Sequence, residues 1–490
     1  MLEFKQFGRF RRFAVATGLA LAFVAPGCAD ETGTSTDDVT DIANTDVKKQ
    51  SIGNCWIYAS VGWVESLRLT HSGEALNLSE SYVTYWHWYE QLHGGGAGER
   101  QLADLDNEDG VYELNTGGWW ATAAELMRRY GMVDEGIFIP EEEEAARSAR
   151  QSSAKSAINT SLKDGVLKDA DARRDGAIVR AELDKAWQLT PEMSEVLNTV
   201  FGADVSQTLY DNPAIPADSG LRTVQSLKVG HNDAGDELTL ADAIGTPSYS
   251  YWGPPTRVGP YAWNEDDYPR YSSGRRNFQI RIQDAMHRRL PAIMTWYVDF
   301  AALENDNTFK TPPETPGRQG GHMTVVEDYQ INNVPGYGTL AAGELVTDPA
   351  ILEAALSPEA EIEFFRIKNS WGTSLSPDPD QGDELIGYYD LWMTYLNEKI
   401  AHKDDEGSSY GLSGVVLPPD TFQSGGGEPE EPVEPVGDCA HDLCDTGEKL
   451  DPACDPCVAL IGEEDPFCID NAWDSICVEE VESICLQPCS

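Results

Sequence analysis

Apolar positions along the chain change period several times, and each change marks an element. After Cys55 the residues Ile57, Val61, Val64 and Leu67 recur at helical spacing, which predicts a helix opening at the cysteine. "MTVVEDYQI", from Met323, is a nearly continuous apolar run and reads as a buried strand. "FFRIKNSWGTS", residues 364–374, predicts a second strand that ends in Asn369, Ser370, Trp371 and Gly372. The texture from about residue 48 to 420 is globular throughout. At both ends the pattern breaks down. Residues 29–47 are acidic, polar and poor in aromatics, so they are expected to form a disordered tether. Residues 421–437, "TFQSGGGEPEEPVEPVG", are expected to form an extended Gly/Glu/Pro linker.

The first 28 residues differ again. Lys5, Arg9, Arg11 and Arg12 precede an apolar run from Phe13 to Ala25, followed by Pro26, Gly27 and Cys28. The run is too short to span a bilayer well and reads as an export signal. Small residues leading into Gly-Cys resemble a bacterial lipoprotein signal, which implies lipidation of Cys28. The expected location is therefore the outer membrane or cell surface, or the secreted fraction, with membrane contact only through that anchor.

Composition narrows the partners. Asp and Glu outnumber Lys and Arg by 83 to 35, a formal charge of -48. Such a surface repels phosphate backbones, which excludes nucleic acid as the main partner. The 490 residues suggest more than one domain.

Cysteines divide the chain sharply. Cys439, Cys444, Cys454, Cys457, Cys468, Cys477, Cys485 and Cys489 crowd residues 438–490, whereas only Cys28 and Cys55 precede them. An even number in a short exported segment reads as a disulfide framework. "DPACDPC" with His441 is the alternative, half of a zinc site. With Cys28 lipidated and the module self-paired, Cys55 is left as a lone thiol, and a lone thiol in an exported protein invites a reactive role.

A thiol nucleophile needs a base, a group that holds the base, and donors for an oxyanion. His71 looks like a helix C-terminal cap, His87 sits in an aromatic helix, and His287 ends a helix. His93, His231, His402 and His441 lie in polar or loop sequence. His322 stands apart: two glycines precede it and the buried strand leaves from it. Asn369 can accept the second imidazole N–H without adding charge, and Trp371 can shield that bond from water.

Cys-Trp opening a helix, Gly-His opening a strand and "KNSWGT" together resemble the papain-like cysteine peptidases. The resemblance covers most of residues 48–415, and its nearer likeness is to the bleomycin hydrolase and aminopeptidase C branch, through "SYVTYWHWYEQL", "GGWWATAAELMRRYGMV" and "GYYDLWMTYLNEKI". It implies an α+β, two-lobed fold, a helical lobe plus an antiparallel β lobe, with "LPAIMTWYVDF" as the strand before His322 and a helical insertion at about 141–260. A small disulfide-rich module follows. It implies Cys55 as a nucleophilic thiolate, His322 as base, Asn369 as its orienter, and Gln50 with the Cys55 amide as oxyanion donors. Gly117, Gly118 and Trp371 would line the substrate cleft, with a peptide or protein as substrate and no cofactor or metal. The family places the glutamine six residues before the nucleophile, but Gln50 stands five before Cys55. That departure supports an alternative, a catalytically impaired surface protein that binds through its cysteine-rich module. Residues 171–182, "DARRDGAIVRAE", mimic a calcium loop, but Arg173 takes a ligand position, so the segment reads as a helix start.

Overall fold

The computed structural model describes residues 42–94, 102, 112–143, 148–210, 215, 219–248, 256–343, 346–373 and 386–424, together with 439–441, 443–444, 446–450, 454, 457–458, 461 and 465–483. The signal segment, Cys28 and most of the Gly/Glu/Pro linker lie outside the described residues. The fold is α+β, with helices gathered on one side and a mainly antiparallel sheet on the other. No helix among the described residues is long and apolar enough to cross a membrane.

Helix α1 (Cys55–Ser72) is buried on nearly every face, not along one stripe. A helix apolar all round must lie inside the molecule, and α1 packs against the sheet on one side and other helices on the other. It stops at Gly73, whose left-handed backbone (φ 68°) lets its amide reach the Leu69 carbonyl. Helix α2 (Glu80–His93) starts at Ser79, whose side chain accepts from the Tyr82 amide. Its aromatic residues are buried: Trp86 stacks on Tyr130 of α3 (Trp120–Tyr130) with ring centroids 4.1 Å apart. The hydroxyls of this core are satisfied, Tyr82 donating to the Tyr130 carbonyl at 2.7 Å and Tyr130 to Glu90 at 2.6 Å.

The insertion holds α4 (Gln151–Asp164), α5 (Gly176–Trp187) and α6 (Pro191–Phe201), followed by short strands. Asp175 accepts from the Ala177 and Ile178 amides, so the calcium-like stretch is the N-cap of α5. Arg173 is buried and donates to the Leu102, Leu167 and Lys168 carbonyls.

Two sheets matter below. In the smaller, β1 (Lys228–Asn232) lies between β2 (Glu237–Thr239) and a late strand, Phe422–Gln423. The larger contains β3 (Asn264–Asp267), β4 (Ala292–Asp299), β5 (Thr308–Phe309), β6 (Gln319–Val334), β7 (Gly338–Leu340), β8 (Glu361–Lys368), β9 (Tyr388–Trp392) and β10 (Leu412–Leu417). Its order is β3-β10-β4-β6-β8-β9-β5, with β7 paired to β6 beyond that path, and only β9 with β5 is parallel. Helix α7 (Ser272–His287) packs on β4 and β10.

Two boundaries differ from the sequence expectation. Ile42, Asn44 and Val47 are buried, and Thr45 donates to Glu65 at 2.6 Å, so residues 42–47 belong to the body and not to a loose tether. Just after this segment, Lys48 Nζ lies 3.2, 3.1 and 3.4 Å from carboxylates of Glu65, Glu80 and Glu135. Burial pulls this ammonium down, and the three acids outweigh it, for a net shift upward. Burial pushes Glu80 up to about 8 and Glu135 to about 7 against the pull of Lys48. Likewise Phe422, assigned to the linker, is fully buried against Trp263, with rings 5.5 Å apart, and pairs with Asn232.

In the C-terminal unit, cystines join Cys439 to Cys454 and Cys468 to Cys477, and Cys444 and Cys457 are also disulfide-bonded. Leu450, Val458, Ile461, Trp473 and Val481 form its small core.

Candidate active site

Cys55 opens α1 as a half-buried free thiol. Asn54 occupies the N-cap without capping through its side chain; its amide donates instead to Thr84 Oγ1 at 3.0 Å and Gln151 Oε1 at 3.1 Å. The start of the nucleophile's helix is thus tied both to α2 and to the insertion.

His322 sits in β6 opposite Trp296 of β4. Asn369 follows the last residue of β8, and β6 and β8 are neighbours, so two strands bring residues 47 apart in sequence together. His322 Nε2 and Asn369 Oδ1 are 2.8 Å apart. An amide oxygen accepts only, so this pairing puts the proton on Nε2 and leaves Nδ1 as the basic nitrogen. Trp371 stacks on the imidazole at 4.8 Å and 19°, and Trp296 meets it edge-on at 5.5 Å. His322 and Asn369 are 5% and 3% exposed, so their hydrogen bond is shielded from water. Helix α1 packs against β6, the strand that carries His322.

Gln50 reaches this site by a route that spacing does not reveal. Its amide N–H donates to the Ser370 carbonyl at 2.9 Å, and Lys49 bridges to Trp371. Ser370 Oγ donates to Gln50 Oε1 at 2.6 Å, while Gln50 Nε2 donates to the Ile52 carbonyl at 2.8 Å. The Asn54 amide uses that same Ile52 carbonyl, so the shortened loop turns back on itself. One N–H of the Gln50 amide remains for a further acceptor. Gly372 has φ 76°, and a Cβ there would come within 2.9 Å of Lys49 Cβ, so glycine lets the two segments meet. Ser370 is the functional neighbour that the sequence reading missed, although it was in view within "KNSWGT".

Gly118 lies against Trp56, where an added Cβ would fall 2.5 Å from the indole. Trp56 Nε1 donates to the Thr116 carbonyl at 2.9 Å, which fixes the Thr116–Gly118 segment beside the residue following Cys55. The Gly117 amide is taken by Asn115 Oδ1 at 3.1 Å, and Trp119 next door is 66% exposed. His87 is buried behind Trp56 with rings 4.8 Å apart, a packing role.

Burial pushes the Cys55 thiol up, although the Met323 amide and the first amides of α1 pull it down. Burial lowers His322 to about 4, opposed by the Asn369 bond. Both shifts favour the uncharged form of each group. The cause is desolvation in a site walled by Trp371 and Trp296.

Comparison with known proteins gives limited overlap. Residues 437–489 match a domain of unknown function, DUF8252. No curated protein matches the chain. Among solved structures, PepW from a Lactobacillus is 13% identical with a TM-score of 0.37, covering 78% of this chain and 81% of that one. Xylellain, a cysteine protease from Xylella fastidiosa, is 13% identical with a TM-score of 0.28, covering 78% and 84%. A Carica candamarcensis cysteine protease in complex with E-64 is 12% identical with a TM-score of 0.26, covering 76% and 92%.

Proposed function

We propose that the chain is an exported papain-like cysteine peptidase that hydrolyses peptide bonds through Cys55, His322 and Asn369. The observation that carries this reading is the His322–Asn369 hydrogen bond, roofed by Trp371, on the strand packed against the helix that Cys55 opens. A bare thiol at the start of a buried helix has a bland explanation as packing. A histidine already fixed by an asparagine on the neighbouring strand gives that thiol a candidate base.

In the proposed cycle, the Cys55 proton moves to His322 Nδ1 as Sγ attacks the substrate carbonyl, forming the Sγ–C bond and a tetrahedral oxyanion. The Cys55 amide and the second N–H of Gln50 donate to that oxygen. His322 then gives its proton to the leaving amine as the C–N bond breaks, which leaves a thioester. Water, deprotonated by His322, cleaves the thioester and restores the thiol. Gly117 and Gly118 offer extended backbone to a peptide, the usual way such a cleft reads main chain. The paired cysteines of the C-terminal unit support export, and the N-terminal pattern supports a lipid anchor at Cys28.

A second reading, a peptidase scaffold that only binds, is favoured by one observation: Gln50 Nε2 already donates to Ile52. Covalent labelling by the epoxide E-64, mapped by peptide mass spectrometry, separates the two. Labelling of Cys55 that disappears in His322→Ala supports the peptidase. A folded protein whose Cys55 reacts no faster than a free thiol supports the binding scaffold.

A further inference from the structure

At the far end of α1 from Cys55, two histidines unrelated to the catalytic site face each other. His71, in the last turn of α1, and His231, in β1, have ring centroids 4.9 Å apart at a tilt of 55°. Glu237 of β2 lies directly across the ladder from His231, and its Oε1 is 3.8 Å from His71 Nε2. One ligand atom from each of the three lies within 4.8 Å of the others. The His71 side chain is 6% exposed, and Nε2 is the ring nitrogen it turns toward Glu237.

We infer that His71, His231 and Glu237 form a binding site for a first-row divalent cation of the zinc class, clamping the end of the Cys55 helix to the β1–β2 hairpin. Two imidazoles and one carboxylate suit zinc, nickel or copper better than calcium or magnesium. Three protein ligands leave a position for water. Ligands about 2.0–2.2 Å from a zinc ion sit closer together than these atoms do, so the side chains draw in on binding. Glu237 is free to do so because its side chain is 55% exposed. Lys228, 3.5 Å from Glu237 Oε2 and itself partly exposed, swings away. Arg68 is already neutralised by Glu74 and held by the Lys228 carbonyl. The consequence is structural: the ion ties α1, β1 and β2 at the opposite end from the thiol.

The test uses the full chain carrying Cys55→Ser, which removes the competing thiol, stripped with chelator and titrated with zinc alone. The expected result is one zinc per chain by native mass spectrometry and an unfolding temperature raised by roughly 2–5 °C at a hundredfold excess over Kd. His231→Ala and Glu237→Gln should each weaken binding by at least the roughly 10- to 100-fold that loss of an outer-shell partner costs a metal site. Copper bound in place of zinc should show coupling to two imidazole nitrogens by electron paramagnetic resonance, falling to one in His231→Ala. If His231→Ala does not fold, the exposed Glu237→Gln decides. The inference is overturned if the parent takes up no zinc, or if both variants bind it as the parent does.

Discussion

The body and the C-terminal unit keep their cysteines in opposite states. Within residues 42–424 the described part has one cysteine, Cys55, and it is free; in the terminal unit every described cysteine is bonded. The body buries a continuous core running from Ile42 to Phe422 and needs no cross-link. The terminal unit has only a handful of core residues, too few to offset the entropy of ordering its chain, so covalent bonds make up the difference. A thiol is therefore available for chemistry only where packing alone holds the fold.

The sharpest break of that contrast is Cys55→Ala. Turnover of a fluorogenic peptide should fall to background while the unfolding midpoint of the body stays nearly unchanged, because the residue acts and does not brace. Residual cleavage at a tenth of parent rate or more by this variant would reject the catalytic assignment.

Next in size, removing the Cys468–Cys477 cystine by Cys468→Ser with Cys477→Ser should cost the terminal unit about 2–5 kcal/mol. Limited proteolysis would detect this as rapid clipping within 438–490, while peptidase activity persists. The body has its own pin of a different kind, the Lys48 cluster. Lys48→Met leaves three buried carboxylates without their cation and should destabilise the body by about 3–5 kcal/mol, read by chemical denaturation. Because Lys48 precedes the segment that carries Gln50, kcat should fall with it.

A smaller effect tests the site itself. Ser370→Ala removes the hydroxyl that orients Gln50 without removing the oxyanion donor. We expect kcat to drop by roughly tenfold, less than the hundredfold or more that deleting such a donor costs, with KM unchanged. A rise in KM alone would show that Ser370 supports binding and not the oxyanion.

The smallest effect concerns pH. Burial lowers His287 to about 4 from 6.5, and its Nε2 lies 2.7 Å from the Tyr329 hydroxyl. Between those values the unfolded chain binds more protons than the folded one, so this contribution is lost as pH falls from 6.5 toward 4. His287→Gln should make the decline of the denaturation midpoint across that window shallower than in the parent.

Local motifs made the site readable. Cys55 before a tryptophan, His322 after two glycines and Asn369 before Ser-Trp-Gly each carry their own short context. His71 and His231 had none: one looked like a cap and the other like loop, since a helix end and a hairpin give no shared signal until they meet. The acidic stretch before Lys48 was misread for a related reason. Composition averages over residues, and it does not show that Ile42, Asn44 and Val47 are buried or that Thr45 bonds Glu65, 20 residues on.

By itself the sequence determined the division between a body and a cystine-rich unit, because it is written in composition, and it implied the α+β class through the resemblance its short motifs carry. Tertiary structure alone decided that Gln50 leans on Ser370 and that Asn54 is tied to Gln151. Those outcomes depend on contacts between segments up to 320 residues apart, which have no local signature in the chain.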